Sequence, residues 1–486
     1  MTTLRLAPIR WMLVTHEDYD AFRRSGATSL NGGFAEAASA QGVYFKPGTI
    51  SQARQIRMKL RALGERFPTA DQVSEALAQI DTSLYDMQVE SERWYLRNKT
   101  QPTFDDPFEG RRWIMLLEAP KGWRAVGIRG SLERALDLLP WLDGTHSAPE
   151  ITDAILNNPA AIQLLQDLLA LEVVTGGPAI EVDLEALPEF QFLGHSGFFV
   201  RDGSDLLLVD PMLVPSTRAL ASSPLLEPML ARASGILISH NHWDHLHYPT
   251  LTRLPRDIRI VVPRVRRPSF SNPPMAAYLR ALGFTRVEER DPGDEIQLGG
   301  ITLRCVAFHG EPFGLNSRFD ALTYHIRFGT KTLYGSVDAA FDEEGDMEAV
   351  IDEVASWGAP DLFLFGSSGQ QHDPPFLAAG LRYFSNELVE RPDLCRYHPT
   401  VVDAERWARK LQPRALVPYA QFLFTGDRAA HVRGDAFLNG NDVSLGQIPR
   451  RHGEWAQSLA EMAHKLDKPM HLFQPMQGIR FESATS

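Results

Sequence analysis

Within six consecutive positions the chain presents His240, His242, Asp244 and His245, four side chains of metal-binding type. They follow the apolar run Ile236-Leu237-Ile238, which reads as a β-strand, so they stand at a strand end. Alternate residues leaving a strand point the same way, which lets His240 and His242 serve one metal while Asp244 and His245 turn toward a second. Imidazole together with carboxylate suits zinc, iron or manganese. Burying four such groups without a cation would be costly, so the spacing points to a two-metal centre rather than to packing.

Such a cluster needs a scaffold that brings strand ends together. From about residue 188 onward the sequence turns to short apolar strands separated by Gly and Asp turns: Phe190-Gln191-Phe192-Leu193, Gly197 to Val200, Leu206 to Val209, Gly235 to Ile238 and Ile260-Val261-Val262. Helical segments such as Pro274 to Leu282 lie between some of them. Strand runs followed by helices, twice over, predict an α/β protein with an αββα sandwich spanning 188–486 as the catalytic domain. Ahead of it, residues 1–110 read as an α-rich region, with helical periodicity over Ser51 to Phe67 (Ile56, Leu60 and Leu63 on one stripe) and over Ala70 to Met87. Residues 111–187 read as a small α+β unit. The strand Trp113 to Leu117 pairs with Trp123 to Ile128, and three helical pieces follow. Ser147-Ala148-Pro149-Glu150 is a capping box with proline in the first turn, which marks a helix start.

The totals set limits. With 49 basic and 61 acidic residues the net charge is −12, a field that repels phosphate backbones and argues against nucleic acid as a partner. The run Arg264-Val265-Arg266-Arg267 reads as a solvated loop. Two cysteines, Cys305 and Cys395, exclude a disulfide framework, a zinc ribbon and an in-chain iron–sulfur centre. No window is apolar and long enough for a signal peptide or a membrane span, so a cytoplasmic setting without membrane contact is expected.

The spacing of His240, His242, Asp244 and His245 is the signature of the metallo-β-lactamase superfamily, which the chain resembles over about 188–480. Leu193-Gly194-His195-Ser196 and Leu208-Val209-Asp210-Pro211 resemble the opening strands of the branch holding ascorbate-6-phosphate lactonase and N-acyl-phosphatidylethanolamine phospholipase D. The resemblance implies that Asp338, closing Tyr334-Gly335-Ser336-Val337-Asp338, is the metal-bridging carboxylate. Hydrolytic members usually end on a Pro-x-His; here that strand reads Pro418-Tyr419-Ala420, and the imidazole is missing. The run His240 to Leu254, with Phe365-Gly366-Ser367-Ser368-Gly369 and Pro418 to Phe422, resembles the C-terminal part of CMP-N-acetylneuraminic acid hydroxylases. The layout resembles the di-iron β-hydroxylases of chloramphenicol biosynthesis, in which a glutamate replaces a middle histidine ligand. That implies Glu311 as a ligand, with His309, two positions earlier, as the alternative. His372 follows a strand and either enters the site or stays in a solvated loop. His195 orients a ligand rather than binding metal, and His325 is structural. The 111–187 unit resembles a winged-helix module of the kind that binds peptides beside peptide-modifying enzymes; a packing or dimerisation domain explains the same pattern.

These resemblances imply a non-haem di-iron oxygenase that hydroxylates an amino-acid-like, peptide or carrier-tethered substrate in a biosynthetic pathway, with O2 as co-substrate. His240, His242 and Glu311 would hold one iron, Asp244 and His245 the other, with Asp338 between them. Asp244, Glu311 and Asp338 are then the catalytic carboxylates. No other redox centre is encoded, so electrons must come from an external reductase or ferredoxin. The alternative is a hydrolase of a phosphodiester, ester or lactone with two zinc or manganese ions, in which Asp244 orients the attacking hydroxide. A non-catalytic binding protein that kept the fold is a third reading, opposed by the intact ligand run. The N-terminal region is large enough to form the interface of a homodimer.

Overall fold

The structure is a computed structural model that describes residues 2–20 (except 8, 10 and 18), 69–78, 85–90, 93–98, 110–212 (except 120 and 121), 226–242, 245–310 (except 267–271 and 273), 320–366 (except 343 and 344), 399–419 and 448–481 (except 472–475 and 477). The helical reading of Ser51 to Phe67 therefore lies outside the described residues.

The N-terminal portion interleaves two short sheets. Strands β1 (Thr2–Leu6) and β2 (Trp11–Thr15) lead to helix α1 (Ala70–Leu77), capped by a reciprocal Thr69–Gln72 box. The predicted helix over Ala70 to Met87 stops there. Tyr85–Glu90 (β3) pairs instead with Arg93–Asn98 (β4), because Tyr85, Met87 and Val89 alternate with Asp86, Gln88 and Glu90 at the period of a strand. The described part of 1–110 thus holds β1 to β4 and α1, with His16, Glu17, Tyr19 and Asp20 also helical. Next come the hairpin β5 (Trp113–Ala119) and β6 (Gly122–Gly127), α2 (Leu132–Leu136), β7 (Asp143–Ser147), α3 (Ala148–Ile155), α4 (Pro159–Ala170) and β8 (Val174–Pro178). Helix α3 begins on the predicted box: the Ser147 amide donates to Glu150 Oε2 at 2.7 Å. The sheet orders are β7-β1-β8 and β2-β5-β6, so the first two strands of the chain complete sheets whose other strands lie beyond residue 110.

The rest is a sandwich. Strands β9 (Phe190–Gly194), β10 (Gly197–Asp202), β11 (Asp205–Val209), β12 (Gly235–Leu237), β13 (Arg259–Pro263) and β14 (Arg286–Arg290) enter the first sheet, interleaved with α5 (Leu226–Ala231), α6 (Tyr248–Leu251) and α7 (Met275–Ala281). The second sheet comprises β15 (Glu295–Leu298), β16 (Ile301–Ala307), β17 (Leu322–Phe328), β18 (Lys331–Gly335), β21 (Leu362–Phe365) and β22 (Ala415–Pro418), in that order. The small hairpin β19 (Phe341–Asp342) and β20 (Gly345–Asp346) precedes α8 (Met347–Ser356); α9 is Val401–Leu411 and α10 is Ile448–Leu466. Strand β23 (Gly478–Ile479) returns to close the first sheet beside β9.

Alternation assigns the faces. Leu207, Val209, Leu237 and Val261 point between the sheets, joining Phe192, Phe198, Tyr324 and Phe363 in one buried core. Leu206, Leu208, Ile236 and Ile260 point outward into a second core, which they share with Tyr248, Tyr278, Leu136, Leu117 and Leu13. The N-terminal portion is therefore welded to the outer face of the first sheet: α6 meets β2 and α5 meets β7. Arg256 anchors this seam, donating to the Leu136 carbonyl at 2.9 Å and stacking over Phe284; burial lowers its guanidinium to about 10, still charged at neutral pH. No helix among the described residues is long and apolar enough to cross a membrane.

Candidate metal centre

The parallel strands β11 and β12 end side by side, with Asp210 and Ser239 just beyond them, both fully buried. Asp210 is the hub. It accepts the Ser239 amide at 2.7 Å on one oxygen; on the other it accepts the Ser239 hydroxyl at 2.6 Å and faces His245 Nδ1 at 2.8 Å. The single Ser239 proton goes to this carboxylate, so Ser239 Oγ is the acceptor for His240 Nδ1–H at 2.9 Å. Both imidazoles are thereby held as Nδ1–H tautomers, and each presents the lone pair of Nε2.

Those lone pairs face Asp338. Two residues beyond β18 the chain reaches Val337, at φ +53°, and then Asp338, whose Oδ2 lies 3.2 Å from His245 Nε2. A lone pair opposite a carboxylate oxygen in a dry interior requires positive charge between them, either a proton or a metal cation. Donor atoms of His240, His245 and Asp338 all lie within 4.8 Å of one another, and all three residues are buried. The carboxylate–imidazole arrangement of Asp210 and His245 is the outer support that metal-bound histidines carry. The residues present fit a metal.

The sequence-derived candidates are distributed as follows. His240, His245 and Asp338 are brought together. The half-buried His242 ring lies 4.7 Å from that of His240, beside the cluster. His309 is placed against the β19–β20 hairpin, with Nδ1 3.3 Å from Asp342 Oδ1, and Asp342 also accepts the Gly310 amide at 2.8 Å. Asp244, Glu311 and His372 lie outside the described residues. His195, at φ +49°, sets its ring edge-on to His245 at 5.8 Å, and His325 packs on Trp357 on the outer side of β17.

Several contributors carry no role in the sequence reading: Asp210 and Ser239 beneath the histidines, and Tyr419 and Gly366 beneath the carboxylate. Gly366 follows β21, the neighbour of β18, and Tyr419 follows β22, the next strand over; both reach the Val337 turn from there. Asp210 and Ser239 left one sequence signal, a polar residue immediately after an apolar strand. Tyr419 left only its place in the Pro418 to Phe422 motif, which gives it no role, because a tyrosine in an apolar run reads as ordinary core.

A family model described as "Beta-lactamase superfamily domain" matches residues 206–419. A curated relative, the 4-amino-L-phenylalanyl-(CmlP-peptidyl-carrier-protein) 3-hydroxylase of Streptomyces venezuelae, is 30% identical over 189 residues, covering 36% of this chain and 35% of that protein. The match thus spans about a third of that relative's length. A metal-dependent hydrolase of Ruegeria sp. is 26% identical over 216 residues, covering 41% of this chain and 82% of the hydrolase. Among solved structures, CmlA, a diiron β-hydroxylase from Streptomyces venezuelae, superposes with a TM-score of 0.59 at 17% identity, over 98% of this chain and 99% of that one.

Proposed function

We propose that this chain, whose residues 206–419 form a beta-lactamase-superfamily domain in the metallo-β-lactamase fold, is a metal-dependent oxygenase that hydroxylates an amino-acid-like, peptide or carrier-tethered substrate. The observation that carries this reading is extent. The fold shared with the S. venezuelae hydroxylase covers 98% of this chain, so it runs through the N-terminal portion as well as the sandwich, while the sequence alignments with the hydroxylase and the hydrolase are alike in extent, 36% and 41% of this chain.

Two irons, when bound, would supply reductive activation of O2 at the cluster. His240 and His245 would offer Nε2, and Asp338 its buried carboxylate; His242, Asp244 and Glu311 complete the set by the sequence argument. Asp210 holds the imidazoles in the tautomer that leaves Nε2 open, and Ser239 passes that constraint to His240. The surrounding core, with Phe308 5.8 Å from His240, keeps bulk water from the donor atoms. Electrons come from an external reductase or ferredoxin. The second reading, a hydrolase of a phosphodiester, ester or lactone with two zinc or manganese ions, is favoured by the Ruegeria relative, since two-metal hydrolysis uses the same ligand types.

Elemental analysis of protein purified without oxygen, after expression with both iron and zinc supplied, separates the two. The oxygenase reading expects about two irons per chain and O2 uptake that depends on an added reductant. Two zincs, no O2 uptake and turnover of a phosphodiester, ester or lactone would overturn it.

A further inference from the structure

We propose that Tyr419 is a positioning residue for the metal centre: its buried hydroxyl clamps the Val337 turn and so sets where Asp338 presents its carboxylate. This rests on the reading of Asp338 as a metal ligand.

Val337 is β-branched and sits at φ +53°, a conformation such a residue adopts only when its surroundings over-determine it. The surroundings do so from two neighbouring strand ends. At the end of β22, Tyr419 Oη accepts the Val337 N–H at 3.0 Å. At the end of β21, the Gly366 N–H donates to the Val337 carbonyl at 3.1 Å. Gly366 must be glycine for that approach, since a Cβ there would lie 2.6 Å from the Val337 oxygen and 2.9 Å from Asp338 Oδ1. The peptide that begins Val337 and the one that joins it to Asp338 are thus both pinned.

Tyr419 is itself fixed. Its amide donates to the Phe365 carbonyl at 3.0 Å, its hydroxyl pairs with Tyr324 Oη at 3.0 Å, and its ring meets Phe198 edge-on. Burial pushes both phenols well above their ordinary range, so the pair stays neutral and the Tyr419 oxygen remains an acceptor for Val337. The two tyrosines are nearly matched: both fully buried, each with one hydroxyl in the same pair; the Tyr324 ring lies against Gly335 ahead of the turn, whereas the Tyr419 hydroxyl bonds to Val337 itself. That asymmetry separates a clamp from a core residue.

The experiment is a titration of the full-length apoprotein with cobalt(II), reading affinity by chelator competition and ligand geometry by the visible bands. Tyr419→Phe should weaken cobalt binding on the order of 10-fold, as loss of an outer support does, and move the bands. Tyr324→Phe leaves the Val337 acceptor in place and should stay within about 3-fold of the parent. Val337→Gly accepts positive φ without a clamp, so adding it to Tyr419→Phe should restore most of the loss. Equal losses in the two tyrosine variants, parental binding in Tyr419→Phe, or no rescue by glycine would each overturn the proposal. Should Tyr419→Phe fail to fold, the glycine-bearing double variant is compared with Val337→Gly alone; a 10-fold deficit there also overturns it. A parent protein that binds no cobalt would refute the metal centre itself, a result distinct from all of these.

Discussion

On one side of the cluster, His240 and His245 are fixed through Ser239 and Asp210, four residues at the ends of two adjacent parallel strands, joined by hydrogen bonds of 2.6–2.9 Å. On the other side, Asp338 stands on a turn in a costly conformation, where Val337 is held by Gly366 and Tyr419, 29 and 82 positions further along the chain. The histidine side carries its own support in a short relay. The carboxylate side borrows its support from two neighbouring strands and is the more easily disturbed without unfolding the sandwich.

The largest expected effect breaks the histidine side. Asp210→Ala strands the Ser239 amide and the His245 Nδ1–H in a dry interior, at about 1–3 kcal/mol for each buried donor left unmade. Melting curves should show a loss of about 3–5 kcal/mol, and chelator competition should show metal affinity falling about 100-fold. The carboxylate side should yield less. Gly366→Ala forces the Val337 carbonyl away and is expected to cost about 2 kcal/mol by denaturant titration, while loosening metal about 10-fold.

A third test measures the second sheet away from the centre. Burial, aided by Arg304 and Arg327, holds His325 at about 4, below its ordinary 6.5. The unfolded chain therefore takes up this proton first, and stability falls as pH drops from about 6.5 toward 4. The parent should lose about 1–2 kcal/mol over that window from this group, allowing for its partial exposure, and His325→Leu should flatten that slope. The smallest effect belongs to the domain seam. Arg256→Met keeps the apolar stem but abandons the Leu136 carbonyl, and should cost about 1 kcal/mol with metal stoichiometry unchanged.

The difference between the two sides also governs what could be read from the sequence. The histidine run is legible because its ligands are neighbours in the chain and its strand is an unbroken apolar stretch. The αββα sandwich is legible for the same reason, since alternation and turn residues are local. The helix expected to reach Met87 is not, because a two-residue alternation hides inside a window that also satisfies a helical stripe. Asp210 meets Ser239 across 29 positions and Tyr419 meets Val337 across 82. Such meetings follow from strand order, which no local pattern encodes. The role of Tyr419 is further masked because its fully buried ring also packs among Phe198 and Tyr324, as any core tyrosine would.

Strand β1 carries a consequence for biosynthesis. It is the middle strand of its sheet, and Thr3 pairs with Gly177, so the hydroxyl bonds of Thr3 close a loop of 174 positions. At about 5–20 residues per second, the ribosome needs roughly 9–35 s to deliver that partner after Thr3 has been made. Until β7 arrives, 144 positions after Thr3, this five-residue strand waits with both edges open; one edge stays open until β8 follows, and the sheet that seats α3 and α4 cannot be completed before then. Removing the first six residues would therefore take out the centre of this sheet rather than a dispensable tail.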